Sequence, residues 1–136
     1  MSTTQKANWF PKPWGPKWMR FLAAFGVAGA MLDMGLYYLN VRVELFWGIA
    51  GFDLPWIAAV FVLPFATGIA VGFIYGWGGK ILAHFPPLVV LGISYYETMT
   101  YGAPAGAQLM PMAWWGFFVI LAMEFSAFGA VMGELL

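Results

Sequence analysis

Residues 56–77 run for twenty-two positions without an Asp, Glu, Lys or Arg. The hydrocarbon core of a bilayer is about 30 Å thick and takes about 20 mostly apolar helical residues to cross. A surface helix of a soluble domain needs a polar face, and this run has none. Lipid is therefore the solvent this chain folds in. Composition agrees: 62% of the 136 residues are hydrophobic and 9% are charged, against about 45–50% and about 25% in soluble domains. The length allows one domain.

Three further segments read as spans. Residues 18–40 contain one acid, Asp33. Residues 80–101 contain Pro86 and Pro87 near their start and Glu97 near their end. Residues 112–135 contain Glu124. The expected fold is an all-α polytopic transmembrane bundle with four spans. Two consecutive prolines interrupt the backbone ladder of the third segment, so three spans plus a re-entrant segment is the alternative.

Charge sets the orientation. Lys6, Lys12, Lys17 and Arg20 stand at or before the start of the first span, Lys80 follows the second, and Arg42 alone falls on the other side. The positive-inside rule then puts the N-terminus in the cytoplasm, and an even number of spans returns the C-terminus there. Trp18, Trp56, Trp77, Trp114 and Trp115 sit at span ends, where an indole prefers the headgroup region. The expected location is a bacterial inner membrane.

Residues 1–17, rich in Trp, Pro and Lys, read as an interfacial cytoplasmic arm. Residues 41–55 mix apolar side chains with Arg42, Glu44 and Asp53, which suits an interfacial helix on the outer face or an extension of the first span. Residues 102–111 form an uncharged turn.

Helices in lipid pair by close approach through small residues. Gly68, Gly72 and Gly76 stack at four-residue spacing on the second span, and Ala122, Ser126, Ala130 and Gly133 stack on the fourth. These stripes pack within the bundle or against a neighbouring subunit. Pro64 removes the hydrogen bond to the Val60 carbonyl and predicts a kink.

Ionisable groups inside a bilayer are costly and are functional suspects. Asp33, Glu97 and Glu124 qualify. Tyr37 lies one turn from Asp33, and Tyr95, Tyr96 and Tyr101 flank Glu97, with Ser94 and Thr98 beside it. Contact between the first and third spans would gather Asp33, Tyr37, Tyr96 and Glu97 into an outward-facing polar pocket, suited to a proton, a cation, or a quinone or lipid headgroup. The plain alternative is that the acids only fasten helices together. Glu124 lies nearly opposite the small-residue stripe of its helix, so it faces a pocket or a partner. Glu134 is expected to be solvated, and His84 to sit near the cytoplasmic end, away from the acids.

The chain has no cysteine and one histidine. It cannot by itself supply bis-His haem ligation, an iron–sulfur cluster or a His-rich zinc site. No nucleophile triad, phosphate loop or metalloprotease helix is present, and zero net charge gives no electrostatic case for nucleic acid. The expectation is a small non-catalytic subunit of a larger membrane complex, whose partners are lipid and other subunits or copies of itself. Two alternatives stand beside it: a homo-oligomeric proton or cation transporter, and a quinone- or lipid-binding subunit of a membrane enzyme.

Overall fold

The computed structural model describes residues 14–136, so the arm as far as residue 13, with Lys6 and Lys12, lies outside the described residues. The chain is mostly helical. Helix α1 is Lys17–Leu39, strand β1 Leu45–Phe46, α2 Leu54–Tyr75, α3 Gly79–Leu82, α4 Phe85–Tyr101, strand β2 Gln108–Leu109 and α5 Met112–Leu135. Three of these, α1, α2 and α5, are long and apolar enough to cross a membrane.

The helix ends follow local chemistry. Asn40 takes the left-handed conformation at φ 56° and its N–H returns to the carbonyls of Leu36 and Tyr37, which stops α1. Residues 41–55 therefore extend α1 no further. Nor do they form an interfacial helix: they fold as β1, a single 3-10 turn at Ile49–Gly51 and a cap. Asp53 accepts the N–H of Trp56 at 3.1 Å and opens α2, with Pro55 in its first turn. The uncharged turn after α4 supplies β2, which pairs antiparallel with β1 (Leu45 opposite Leu109, Phe46 opposite Gln108). The bundle is thus roofed at one end by a two-stranded sheet, a departure from the all-α expectation.

The disturbance expected at Pro64 takes the form of a π-helical turn over Ala58–Val62, where the Leu63 N–H reaches back to Ala58. Pro64 has no N–H, and its ring would strike the Val60 carbonyl of a regular helix. The wider turn absorbs both problems.

The third segment is two helices. Pro86 and Pro87 occupy the first turn of α4, where a missing N–H costs nothing, and the chain turns at Ala83 and His84 before them. Helix α4 has 17 residues, about 25 Å at 1.5 Å per residue. Short α3 begins beside the last turn of α5: the Lys80 N–H donates to Glu134 Oε1 at 2.9 Å, with Lys80 Nζ 4.0 Å from Oε2. Glu134, expected in solvent, is instead mostly buried as the acceptor for this helix start.

The core is the seam between α2 and α5. A Cβ on Gly68 would lie 1.8 Å from the Ser126 carbonyl oxygen, and one on Gly72 2.1 Å from that of Ala130. From the other side, Gly129 and Gly133 meet the carbonyls of Phe65 and Ile69 at 2.0 and 2.1 Å in the same sense. Both stripes pack against each other within the chain, with Ala122 buried in the outer part of the core. Gly76 ends α2 at φ 86°. Gly129, which the four-residue spacing does not single out, is as tightly placed as the others.

At the roofed end Trp56 is only 7% exposed, with Phe52 and Phe118 each 4.8 Å away edge-on. It serves core packing and not the interfacial belt, whereas Trp18, Trp77 and Trp114 are exposed. At the opposite end Trp14 Nε1 donates to the Ile74 carbonyl at 2.8 Å and buried Arg20 donates through Nε to the Tyr75 carbonyl at 3.1 Å. These donors satisfy the last carbonyls of α2, and the cation suits the negative end of the helix dipole.

The seam makes a graded prediction for thermal unfolding in detergent. Gly68→Ala or Gly72→Ala forces two backbones apart and should cost on the order of 1–3 kcal/mol or more. Gly26→Ala and Gly92→Ala, where a Cβ meets nothing within 4 Å, should be silent. Ser126→Ala removes a buried hydroxyl that has no partner among the described residues and should be neutral or stabilising. Equal sensitivity at Gly26 and Gly72 would contradict the seam.

Candidate functional site

Two polar assemblies interrupt the apolar bundle. The first hangs beneath the sheet. Backbone geometry at Asn40 sends residues 41–44 back over the ends of the helices, and Val43, Glu44 and Leu45 are all buried there. Glu44 is 0% exposed. Its Oε1 accepts from Ser94 Oγ at 2.7 Å, Thr98 Oγ1 at 2.7 Å and Arg42 Nε at 3.0 Å. Arg42 also donates through Nη2 to Thr98 Oγ1. Glu44 Oε2 is buried without a partner among the described residues. The same residue's carbonyl accepts the Met110 N–H at 2.7 Å, and Tyr95 Oη donates to the Met110 carbonyl at 3.3 Å. Glu44 thus ties the loop before β1 to helix α4 through its carboxylate and to the loop after β2 through its backbone carbonyl.

Beside this cluster α1 and α4 diverge and leave a groove of about 390 Å³. Asp33, Tyr37 and Asn40 line it from α1 and its cap, Ser94 and Glu97 from α4, and Arg42 from the loop, with Leu36, Val90 and Ile93 as apolar wall. So three of the residues singled out in the sequence, Asp33, Tyr37 and Glu97, share one groove. Tyr96 points elsewhere and is exposed. Among the described residues neither Asp33 nor Glu97 makes an ion pair, while the charge of Arg42 is met by Glu44. The groove therefore presents two carboxyl groups that lack a cationic partner among the described residues. A larger cleft of about 600 Å³ lies on the far side of Arg42, between Trp47, Asp53, Trp56 and Pro104.

The second assembly sits on the flank of α5. Glu124 lies twelve residues after Met112 and eleven before Leu135, hence mid-helix. Its side chain is 54% exposed and faces away from the seam, with Oε1 3.4 Å from His84 Nε2. The expectation that His84 stands apart from the acids is overturned by the turn at Ala83 and His84. Helix α3 packs along α5, so His84 reaches the middle of that helix rather than its end. Glu124 is correspondingly remote from the groove of Asp33 and Glu97.

Glu44 is a residue of this candidate site that the sequence does not single out. An acid between Val43 and Leu45 in a segment with an adjacent arginine looks like interfacial loop. The available signal is Ser94 and Thr98, two hydroxyls one turn apart on α4, which need a common acceptor when that face is buried. Among the described residues no group of three or more His, Cys, Asp or Glu side chains is placed to hold a metal ion. No family model matches this chain, and no match to it is found among curated proteins or solved structures.

Replacing Glu44 tests the first assembly. Glu44→Leu leaves the Ser94 and Thr98 hydroxyls without their acceptor, at about 1–3 kcal/mol for each buried group left unpaired. The triple variant Glu44→Leu, Ser94→Ala, Thr98→Val should recover most of that loss. A Glu44→Leu chain as heat-stable in detergent as the parent would show that the cluster does not hold the roof.

Proposed function

We propose that this protein is a small non-catalytic subunit of a larger membrane assembly, crossing a bacterial inner membrane four times with both termini in the cytoplasm. The supporting observation is the Glu124–His84 pair, open sideways at the middle of an apolar helix. A charged side chain at that depth costs roughly 2.5–3.5 kcal/mol on insertion scales. A neighbouring subunit laid over the pair removes it from lipid. The four-span count draws support from the path of residues 79–101. That segment starts beside Glu134, near one end of α5, and reaches the Met110 carbonyl, just before the other. Arg20, Lys17 and Lys80 gather at the end assigned to the cytoplasm, and Arg42 stands at the opposite end.

The groove of Asp33, Tyr37 and Glu97 favours a second reading, in which the subunit holds a cation or the headgroup of a quinone or lipid. Two carboxyl groups without a cationic partner, beside an apolar wall, suit that cargo. The Asp33→Asn, Glu97→Gln double variant should assemble normally and lose flux or enzyme activity of the whole complex. Full activity in that variant would end the second reading.

Gentle extraction and mass measurement of the intact assembly test the first. The expected result is a stoichiometric complex larger than one chain. A lone 15.0 kDa chain, stable in lipid nanodiscs and fully functional there, would contradict it.

A further inference from the structure

The cleft of about 600 Å³ beyond Arg42 opens where α1 and α2 part. Gly35 packs so closely on α2 that a Cβ there would lie 2.5 Å from Leu63 Cδ1, and one turn further on Leu39 lines the cleft. Two charged residues of opposite sign stand on its walls, Arg42 and Asp53. They do not meet: among the described residues Arg42 pairs with Glu44. The guanidinium has five N–H donors. One goes to Glu44 and one to Thr98, and the others have no acceptor among the described residues. Asp53 uses Oδ1 to cap α2, which leaves its second oxygen to the cleft or to solvent. The same end of the bundle carries exposed Tyr37 and Tyr38 in the last turn of α1 and exposed Tyr101 at the end of α4. Rings of this kind prefer headgroup level. From Asp53 toward the middle of α2, Leu54, Ile57 and Val62 are exposed and apolar.

We propose that this cleft binds the headgroup of a zwitterionic phospholipid, with its phosphate on Arg42 and its ammonium at Asp53. The inference rests on the reading of the chain as a membrane subunit, with the roofed end at the lipid–water boundary. It concerns a site separate from the groove of Asp33 and Glu97. Charge selects the ligand. The charge of Arg42 is already met by Glu44, so a headgroup with net negative charge would add an uncompensated charge beside Glu44 and Asp53. A bare cation would answer Asp53 and leave the guanidinium donors idle. A phosphate takes those donors in the planar geometry that suits arginine, and an ammonium on the same headgroup answers Asp53. The acyl chains then lie along the exposed apolar surface of α2.

Native mass spectrometry of the full chain, stripped of lipid in detergent and titrated with dioleoyl lipids, tests the proposal. Dioleoylphosphatidylethanolamine should be retained about tenfold more tightly than dioleoylphosphatidylglycerol, the scale of one hydrogen bond to a charged group. Dioleoylglycerol, which has neither phosphate nor amine, should not displace it. Asp53→Asn keeps a capping side chain at the start of α2 and should bring the two phospholipids to equal affinity. Asp33→Asn, in the neighbouring groove, should leave the preference intact. Glycerophosphoethanolamine, the same headgroup without acyl chains, should compete only at far higher concentration, and equal potency would mean a soluble ligand in place of a lipid. Equal or tighter retention of the glycerol lipid by the unmodified chain overturns the proposal whether or not Asp53→Asn folds. So does displacement by dioleoylglycerol, or a preference that survives in a folded Asp53→Asn chain. None of these results touches the subunit reading, which is decided by the mass of the intact assembly.

Discussion

The close contact between the backbones of α2 and α5 sets the rest of the structure. In lipid there is little hydrophobic gain from bringing two apolar helices together, so the pairing depends on van der Waals contact at short range. Gly68 and Gly72 meet the carbonyls of Ser126 and Ala130, and Gly129 and Gly133 meet those of Phe65 and Ile69. No side chain at these four positions fits without movement of main chain. Once the seam is fixed, the helical period decides what α5 shows to the outside: Glu124, half a turn round from Ser126, faces away from the bundle. The exposed acid is a consequence of the seam.

The two ends of the bundle solve the same problem with different residues. Every backbone polar group in a low-dielectric region needs a partner. At one end Trp14 and Arg20 donate to the last carbonyls of α2, and Glu134 accepts the Lys80 N–H at the start of α3. At the other, β1 and β2 satisfy each other, and the Glu44 carbonyl takes the Met110 N–H. The Glu44 side chain then collects donors from the loop and from α4, and among the described residues Asp33 and Glu97 in the adjacent groove make no ion pair. A buried ion pair of this kind is weak evidence of net stability. What it does is hold one arrangement of loops over the helix ends.

Much of this is legible in residue order because membrane spans advertise themselves by length. The uncharged run at 56–77 and the run at 112–135 lie within two residues of α2 and α5, and the small stripes point to the seam. The failures share a cause. Side chains held by tertiary partners look, in sequence, like side chains held by solvent or lipid. Glu134 reads as solvated and Glu44 as part of an interfacial segment, and both are buried, with partners in Lys80 and in Ser94 and Thr98 that are distant in the chain. Trp56 reads as part of the interfacial belt and packs against Phe118. Residues 41–55 read as an interfacial helix or an extension of the first span, but the left-handed turn at Asn40 redirects them into a strand whose partner lies more than sixty residues away. Pro86 and Pro87 read as a break. That they start a new helix, and so swing His84 onto Glu124, depends on the contact of α3 with α5.

If four segments cross the bilayer as proposed, the sheet roof lies outside and the Arg20–Lys80 end inside. Single cysteines placed in the otherwise cysteine-free chain at Ala105 and at Leu136, probed with a membrane-impermeant maleimide, test it most directly. Ala105→Cys should be labelled in intact cells, and Leu136→Cys only after the membrane is opened. Labelling of Leu136→Cys from outside would mean that residues 79–101 do not cross.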